Sequence, residues 1–150
     1  MPRRILEEEF VKTTNPRLER ELSDLSRAFP LWIADDFAFV IVSKLRLPAE
    51  YNKSCTDLLI ELPPDYPVCP PGLGNNRVYV DPNLRYRNRI LQDLHPGNTA
   101  RFATPGFGPW AWFCYERIEW WPDRDDLITF VEMVRADLSC TKTKSILSSL

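Results

Sequence analysis

Apolar residues recur at Leu18, Leu22, Leu25 and Phe29, at i, i+4, i+7 and i+11, which is the period of one helical face. Asn15 as N-cap and Pro16 in the first helical position mark the start of this helix, and Pro30 ends it. Arg17, Glu19, Arg20, Glu21 and Asp24 fill the other face, so the pattern predicts an amphipathic helix lying on a sheet with its charged side in water. Upstream, Ile5, Leu6, Phe10 and Val11 suit a short helix that Lys12-Thr13-Thr14 interrupts.

From Leu31 to Leu47 the chain is rich in β-branched and aromatic residues, with a turn at Asp35-Asp36 and a strand over Phe37–Val42, closed by Pro48. Cys55–Leu62 reads as a further strand, and the short connections predict an antiparallel meander. Five prolines then fall within the nine residues Pro63–Pro71. They remove backbone donors and fix φ, so this is a rigid shaped loop and not a helix or central strand. Arg77–Val80 fits one more short strand, and Asp81–Pro109, punctuated by proline and glycine at 82, 96, 97, 105, 106, 108 and 109, reads as a long loop. A loop of that length inside a domain is usually functional. A last helix is predicted from about Asp123, with Asp123, Asp125 and Asp126 favouring its N-terminal dipole and Leu127, Val131, Val134 and Leu138 as its core stripe. Ser139–Leu150 reads as a polar, fraying tail. The expected fold class is α+β, in one domain with its core at about 15–138.

Composition narrows the function classes. At 150 residues, 44% apolar and 27% charged, the chain suits one globular domain. Nineteen basic against twenty-one acidic residues give a net charge of −2, without the basic stripe of a nucleic-acid binder. Arg85, Arg87 and Arg89 alternate locally and read as a solvated face. No run of eighteen apolar residues exists, and Met-Pro-Arg-Arg leads into acidic residues instead of a signal-peptide core, so the expectation is a soluble cytoplasmic protein with no membrane partner. Cysteines 55, 69, 114 and 140 form no Cys-x-x-Cys pair and have one histidine to join them, which argues against a metal site and for reduced thiols. No cofactor motif is present.

The chemistry concentrates in Trp110–Pro122, which sets Cys114 among six aromatic residues and holds four of the five tryptophans. By composition alone a cysteine between Phe113 and Tyr115 reads as a small core residue. Trp110, beside Gly108-Pro109, is the tryptophan placed for exposure to a partner. Cys69 reads as a structural residue of the proline loop.

The order of elements, together with Leu58–Pro67 followed by Pro70-Pro71, Asp81-Pro82-Asn83, and Cys114 with Trp121-Pro122 before a helix, resembles the ubiquitin-conjugating (UBC-like) fold. These segments are similar to that family's third strand and Tyr-Pro-x-x-Pro-Pro loop, its His-Pro-Asn turn, and its active-site cysteine followed by Trp-Pro. Leu47–Tyr51, Thr56–Leu59 and Leu62–Pro67 narrow the resemblance to the divergent prokaryotic conjugating-enzyme family E. The resemblance spans about residues 15–138. It implies an N-terminal helix, a meander of about four strands, a long active-site loop and a C-terminal helix.

It also implies that Cys114 carries a ubiquitin-like modifier as a thioester and yields it to an amine or hydroxyl. The partners implied are that modifier, a ThiF-type activating enzyme and a JAB-type peptidase of the same operon. Nearby Glu116 and Glu119 would tend to raise a thiol pKa, which suits an accessible thiol more than a hyperreactive one. An asparagine amide near the cysteine would stabilise the oxyanion, an effect of about 3–4 kcal/mol per donor.

Two asparagines qualify. Asn83 lies in Asp81-Pro82-Asn83, where aspartate replaces the family's histidine, 31 residues before Cys114. Asn98 lies in His95-Pro96-Gly97-Asn98, 16 residues before it. Spacing leaves the choice open. A histidine in a Pro/Gly loop is usually solvated; a working role for His95 would be that of proton carrier or conformational anchor. Two other functions stay in view: an inactive UBC-like adaptor that binds modifier or activating enzyme, and a cysteine hydrolase built on Cys114 and His95.

Overall fold

The computed structural model describes residues 2–5, 13, 15–71, 77–115, 119–140 and 143–144. Along the chain these form β1 (Arg3–Ile5), α1 (Pro16–Ala28), β2 (Leu31–Ile33), β3 (Phe39–Arg46), β4 (Cys55–Glu61), β5 (Val78–Val80), β6 (Arg85–Tyr86), β7 (Arg89–Ile90), β8 (Leu94–His95), β9 (Ala111–Phe113) and α2 (Leu127–Ser139). Seven strands make one sheet in the order β1-β2-β3-β4-β5-β9-β8, with every pairing antiparallel, and β6–β7 form a separate hairpin. The fold class is α+β, as expected. The sheet is larger than the four-strand meander because β1, β9 and β8 add to it. Strands of two or three residues are too short to show alternation.

α1 begins as its sequence requires. The Asn15 side chain accepts from Leu18 N at 3.2 Å, and Pro16 follows in the first turn. Its charged face is not all in water: Glu21, expected there, is only 3% exposed. α2 begins later than expected, at Leu127. Asp126 is its N-cap, accepting from Thr129 N at 2.8 Å. Asp125 is buried in the turn before it, where it accepts from Trp121 N at 2.7 Å. Ile5 belongs to a strand and not to a helix; Leu6, Phe10 and Val11 lie outside the described residues. In the tail, Thr143 bridges to Leu91 and Lys144 N donates to Ile90 O at 2.9 Å, while 141–142 and 145–150 lie outside the described residues.

The two faces of the sheet bury different clusters. On the inner face Leu22, Leu25, Phe130, Val131, Val134 and Leu138 of the helices pack on Val40, Val42, Leu58, Ile60, Val78 and Phe113. On the outer face Phe39, Ile41, Leu59 and Tyr79 are covered by the segment 100–110, through Phe102, Phe107 and Trp110. No described helix is long and apolar enough to cross a membrane.

Candidate active site

Cys114 is the first residue after β9. Its backbone N donates to Asp93 O at 2.8 Å, which extends the β8–β9 register of Leu94 with Phe113 and His95 with Trp112 by one pair. Cys114 and Asp93 therefore stand opposite each other. Directly opposed residues of an antiparallel pair project to the same side, so Cys114, Asp93, Trp112 and His95 share the outer face. The thiol is half-buried and not in a disulfide. The β5–β9 register, continued from Tyr79 opposite Trp112, brings Arg77 level with Cys114 from the other side.

The surroundings are ordered by Trp112. The His95 ring lies 4.9 Å from the Trp112 ring, and the Arg77 guanidinium sits 4.0 Å above it. Arg77 reaches Asn98 Oδ1 at 3.5 Å, and the Asn98 carbonyl accepts from Trp112 N at 3.0 Å. Arg77 N in turn donates to Glu61 Oε1 at 2.9 Å.

Tyr115, the next residue, turns to the inner face and clamps the proline loop. Its hydroxyl donates to Pro71 O at 2.8 Å, and its ring meets Phe130 edge-on at 5.8 Å. Burial, and then the neighbouring Cys114, push its phenol up to about 12, so it remains a donor at neutral pH. Trp120 Nε1 makes the second clamp, donating to Pro67 O at 2.8 Å, while its ring lies 5.8 Å from Tyr66.

Tyr66 connects this layer to both helices. Its hydroxyl donates to Glu21 Oε1 at 2.5 Å, and that oxygen also accepts from Leu127 N at 2.8 Å. Burial, and then this hydrogen bond, hold the Tyr66 phenol far above its ordinary range. Arg17 Nε donates to Glu21 Oε2 at 3.0 Å, and its other nitrogens donate to the Pro122 and Asp125 carbonyls. Asn15 Nδ2 completes the set by donating to Tyr66 O at 2.9 Å. A buried carboxylate is tolerable only with such partners, and the residue the periodicity assigned to water thus ties α1, α2 and the proline loop together.

A model of prokaryotic E2 family E matches residues 20–141, a stretch that takes in the proline loop, Cys114 and α2. The chain belongs to that family. Neither the curated proteins nor the solved structures give a match.

In this family E chain, Asn98 and His95 are brought to β9, the strand that Cys114 follows. Asn83 is not. It lies beyond the far end of β5, in a turn where its N donates to Asp81 Oδ1 at 2.8 Å and its carbonyl accepts from Asn52 Nδ2 at 2.9 Å. Asp81 there also pairs with Lys53. The acid nearest Cys114 by register is Asp93; Glu119 is exposed, and Glu116 lies outside the described residues. Cys69 is exposed, and its thiol is pushed up first by its hydrogen bond to Asp65, at 3.1 Å. Trp110 is 6% exposed, with Nε1 donating to Thr104 Oγ1 at 2.9 Å, whereas Trp121 is 55% exposed; the tryptophan open to solvent is not the one expected. Asp93 and Arg77 carry no sequence signal of their own, since only strand pairing sets them beside the thiol.

Proposed function

We propose that this E2-like chain accepts the C-terminus of a ubiquitin-like modifier as a thioester on Cys114 and transfers it to an amine or hydroxyl. The observation that carries the reading is a half-buried thiol at the end of β9, on the outer face, in a chain of the E2-like family. In the first step the Cys114 sulfur attacks the thioester carbonyl of the modifier carried by its activating enzyme, and the donor thiol leaves with a proton. In the second, an acceptor amine attacks, the C–N bond forms, the C–S bond breaks, and the Cys114 thiol is released.

Two side chains support these steps. Asn98, its Oδ1 turned to Arg77, has its amide nitrogen as the end that donates to a developing oxyanion. Asp93, opposite the thiol, suits the proton lost by the attacking amine. His95, packed on Trp112, serves as a conformational anchor. The partners follow the same reading: a ubiquitin-like modifier, a ThiF-type activating enzyme and a JAB-type peptidase from one operon, in the cytoplasm.

The test is reconstitution with the activating enzyme, modifier and ATP, read on non-reducing gels. Cys114→Ala abolishes a thiol-reducible adduct and Cys69→Ala keeps it. Modifier binding that survives Cys114→Ser, with no adduct under any condition, assigns the adaptor function instead, a reading favoured by the distance of the Asp81-Pro82-Asn83 turn from Cys114. Cleavage of a modifier fusion that is lost on changing either Cys114 or His95 assigns the hydrolase.

A further inference from the structure

At the opposite end of β4 from the Cys114 level, where β3 turns into β4, a cleft of about 590 Å³ is lined by Lys44, Arg46, Lys53 and Ser54 and by no carboxylate. The chain as a whole carries a net charge of −2, so Lys44 and Arg46 beside one cleft, with Lys53 already paired to Asp81, are a local excess of two cations. Lys44 and Arg46 make no ion pair among the described residues. Lys53 is held at the rim by Asp81. Asp57, on the same side of β4 as Cys55, accepts from Ser43 Oγ at 2.7 Å.

Backbone geometry delivers these cations. Val40 and Val42 point into the inner core, so strict alternation would send Lys44 and Arg46 after them and turn Leu45 outward. A bulge between Val42 and Leu45 shifts the register by one, which buries Leu45 completely and leaves Lys44 and Arg46 exposed, with Arg46 opposite Cys55. The bulge holds Lys44 at φ 60, in the left-handed region. Glycine or asparagine would meet that backbone requirement at lower cost, and a lysine held there points to use of its side chain.

We propose that this cleft binds a small phosphate-bearing anion of diphosphate size. An arginine fork pairs two oxygens of one phosphate, and the lysine ammonium groups supply point charges for a second. The volume exceeds that of a bare diphosphate and falls in the range of nucleotide-sized ligands. This proposal is independent of the thioester chemistry, because the cleft and Cys114 lie at opposite ends of the sheet.

Calorimetric titration of the full chain with inorganic pyrophosphate, and separately with ADP, tests it at low and moderate salt. Saturable binding is expected, weakened about tenfold or more in both Lys44→Gly and Arg46→Ser, as loss of one charge-assisted hydrogen bond implies. Equal affinity for the two probes assigns a free anion; tighter ADP binding assigns a nucleotide. Lys44→Gly relieves the backbone, so its unfolding midpoint should hold or rise while binding falls. Absence of saturable heat with either probe, or affinities unchanged in both variants, overturns the proposal.

Discussion

Among the described residues each face of the sheet buries one glutamate, and the two are satisfied by matching sets of donors. Glu21, on the inner side, accepts from the Tyr66 phenol, the Leu127 backbone N and Arg17. Glu61, 0% exposed on the outer side, accepts from the Tyr79 phenol at 3.1 Å, the Arg77 backbone N at 2.9 Å and Arg101 Nε at 2.5 Å. The same chemistry has different consequences, because the inner set joins two helices and the proline loop whereas the outer set pins a loop. Arg17 is 27% exposed and Arg101 is 52% exposed, so the outer clamp is wetter and weaker. Cys114 and Tyr115 leave β9 on opposite sides of this division. The inner layer anchors the residue that follows the thiol, and the thiol itself lies on the outer side.

The largest effect should come from breaking the inner set. Glu21→Ala strands the Tyr66 hydroxyl, Leu127 N and part of Arg17 away from water, and should cost about 3–5 kcal/mol in urea unfolding. It should also loosen the proline loop, seen as faster amide exchange there. On the outer face, Phe102→Ala removes a half-buried ring stacked on Phe39 at 5.0 Å, and should cost about 1–2 kcal/mol. Equal losses from the two substitutions would remove the distinction between the faces. Arg101→Ala removes the cationic partner of the buried Glu61 but leaves its Tyr79 and Arg77 N donors, and should cost about 1–2 kcal/mol, less than Glu21→Ala. Its signature is faster exchange across residues 100–110.

The inner face was legible because its signals are local. Leu18, Leu22 and Leu25 advertise a helix by spacing, Asn15 caps it, and the proline run announces a rigid loop without help from the rest of the chain. The outer face depends on pairings across distance, such as Phe107 on Trp32 at 5.1 Å, which no period within either segment encodes. Strands of two residues at β6, β7 and β8 hide inside what reads as loop. The candidate site divides along the same line. Cys114 is conspicuous from its aromatic setting, and the choice between Asn98 and Asn83 waits on β8 pairing with β9. Asp93 enters by the same pairing. Glu21 was misplaced because a glutamate on a charged helical face is normally solvated, and only the meeting of Tyr66 and Leu127 around it reverses that.

The smallest effect separates the faces by the titration of their phenols. Tyr115 on the inner side and Tyr79 on the outer side are both pushed from an ordinary value of 10.0 up to about 12, in each case first by burial. For Tyr79 the charge of Glu61 and its hydrogen bond add to this; for Tyr115 the second cause is the Cys114 charge. A folded pKa above the unfolded one means that the folded chain keeps a proton the unfolded chain has lost. The contribution to stability is therefore complete below about pH 10 and disappears as the pH rises through about 12. Absorbance at the tyrosinate band should show both phenols ionising late in the folded protein. Cys114→Ser should bring the Tyr115 step down while leaving it above its ordinary value, since burial persists, and should leave the Tyr79 step in place. Tyr115→Phe identifies which step is which and removes one hydrogen bond to Pro71, a loss of about 1 kcal/mol. If Cys114→Ser moves both steps equally, the thiol charge acts on Tyr79 as strongly as on Tyr115, and its assignment to the Tyr115 phenol alone fails. If it moves neither, the sulfur does not lie beside the Tyr115 phenol.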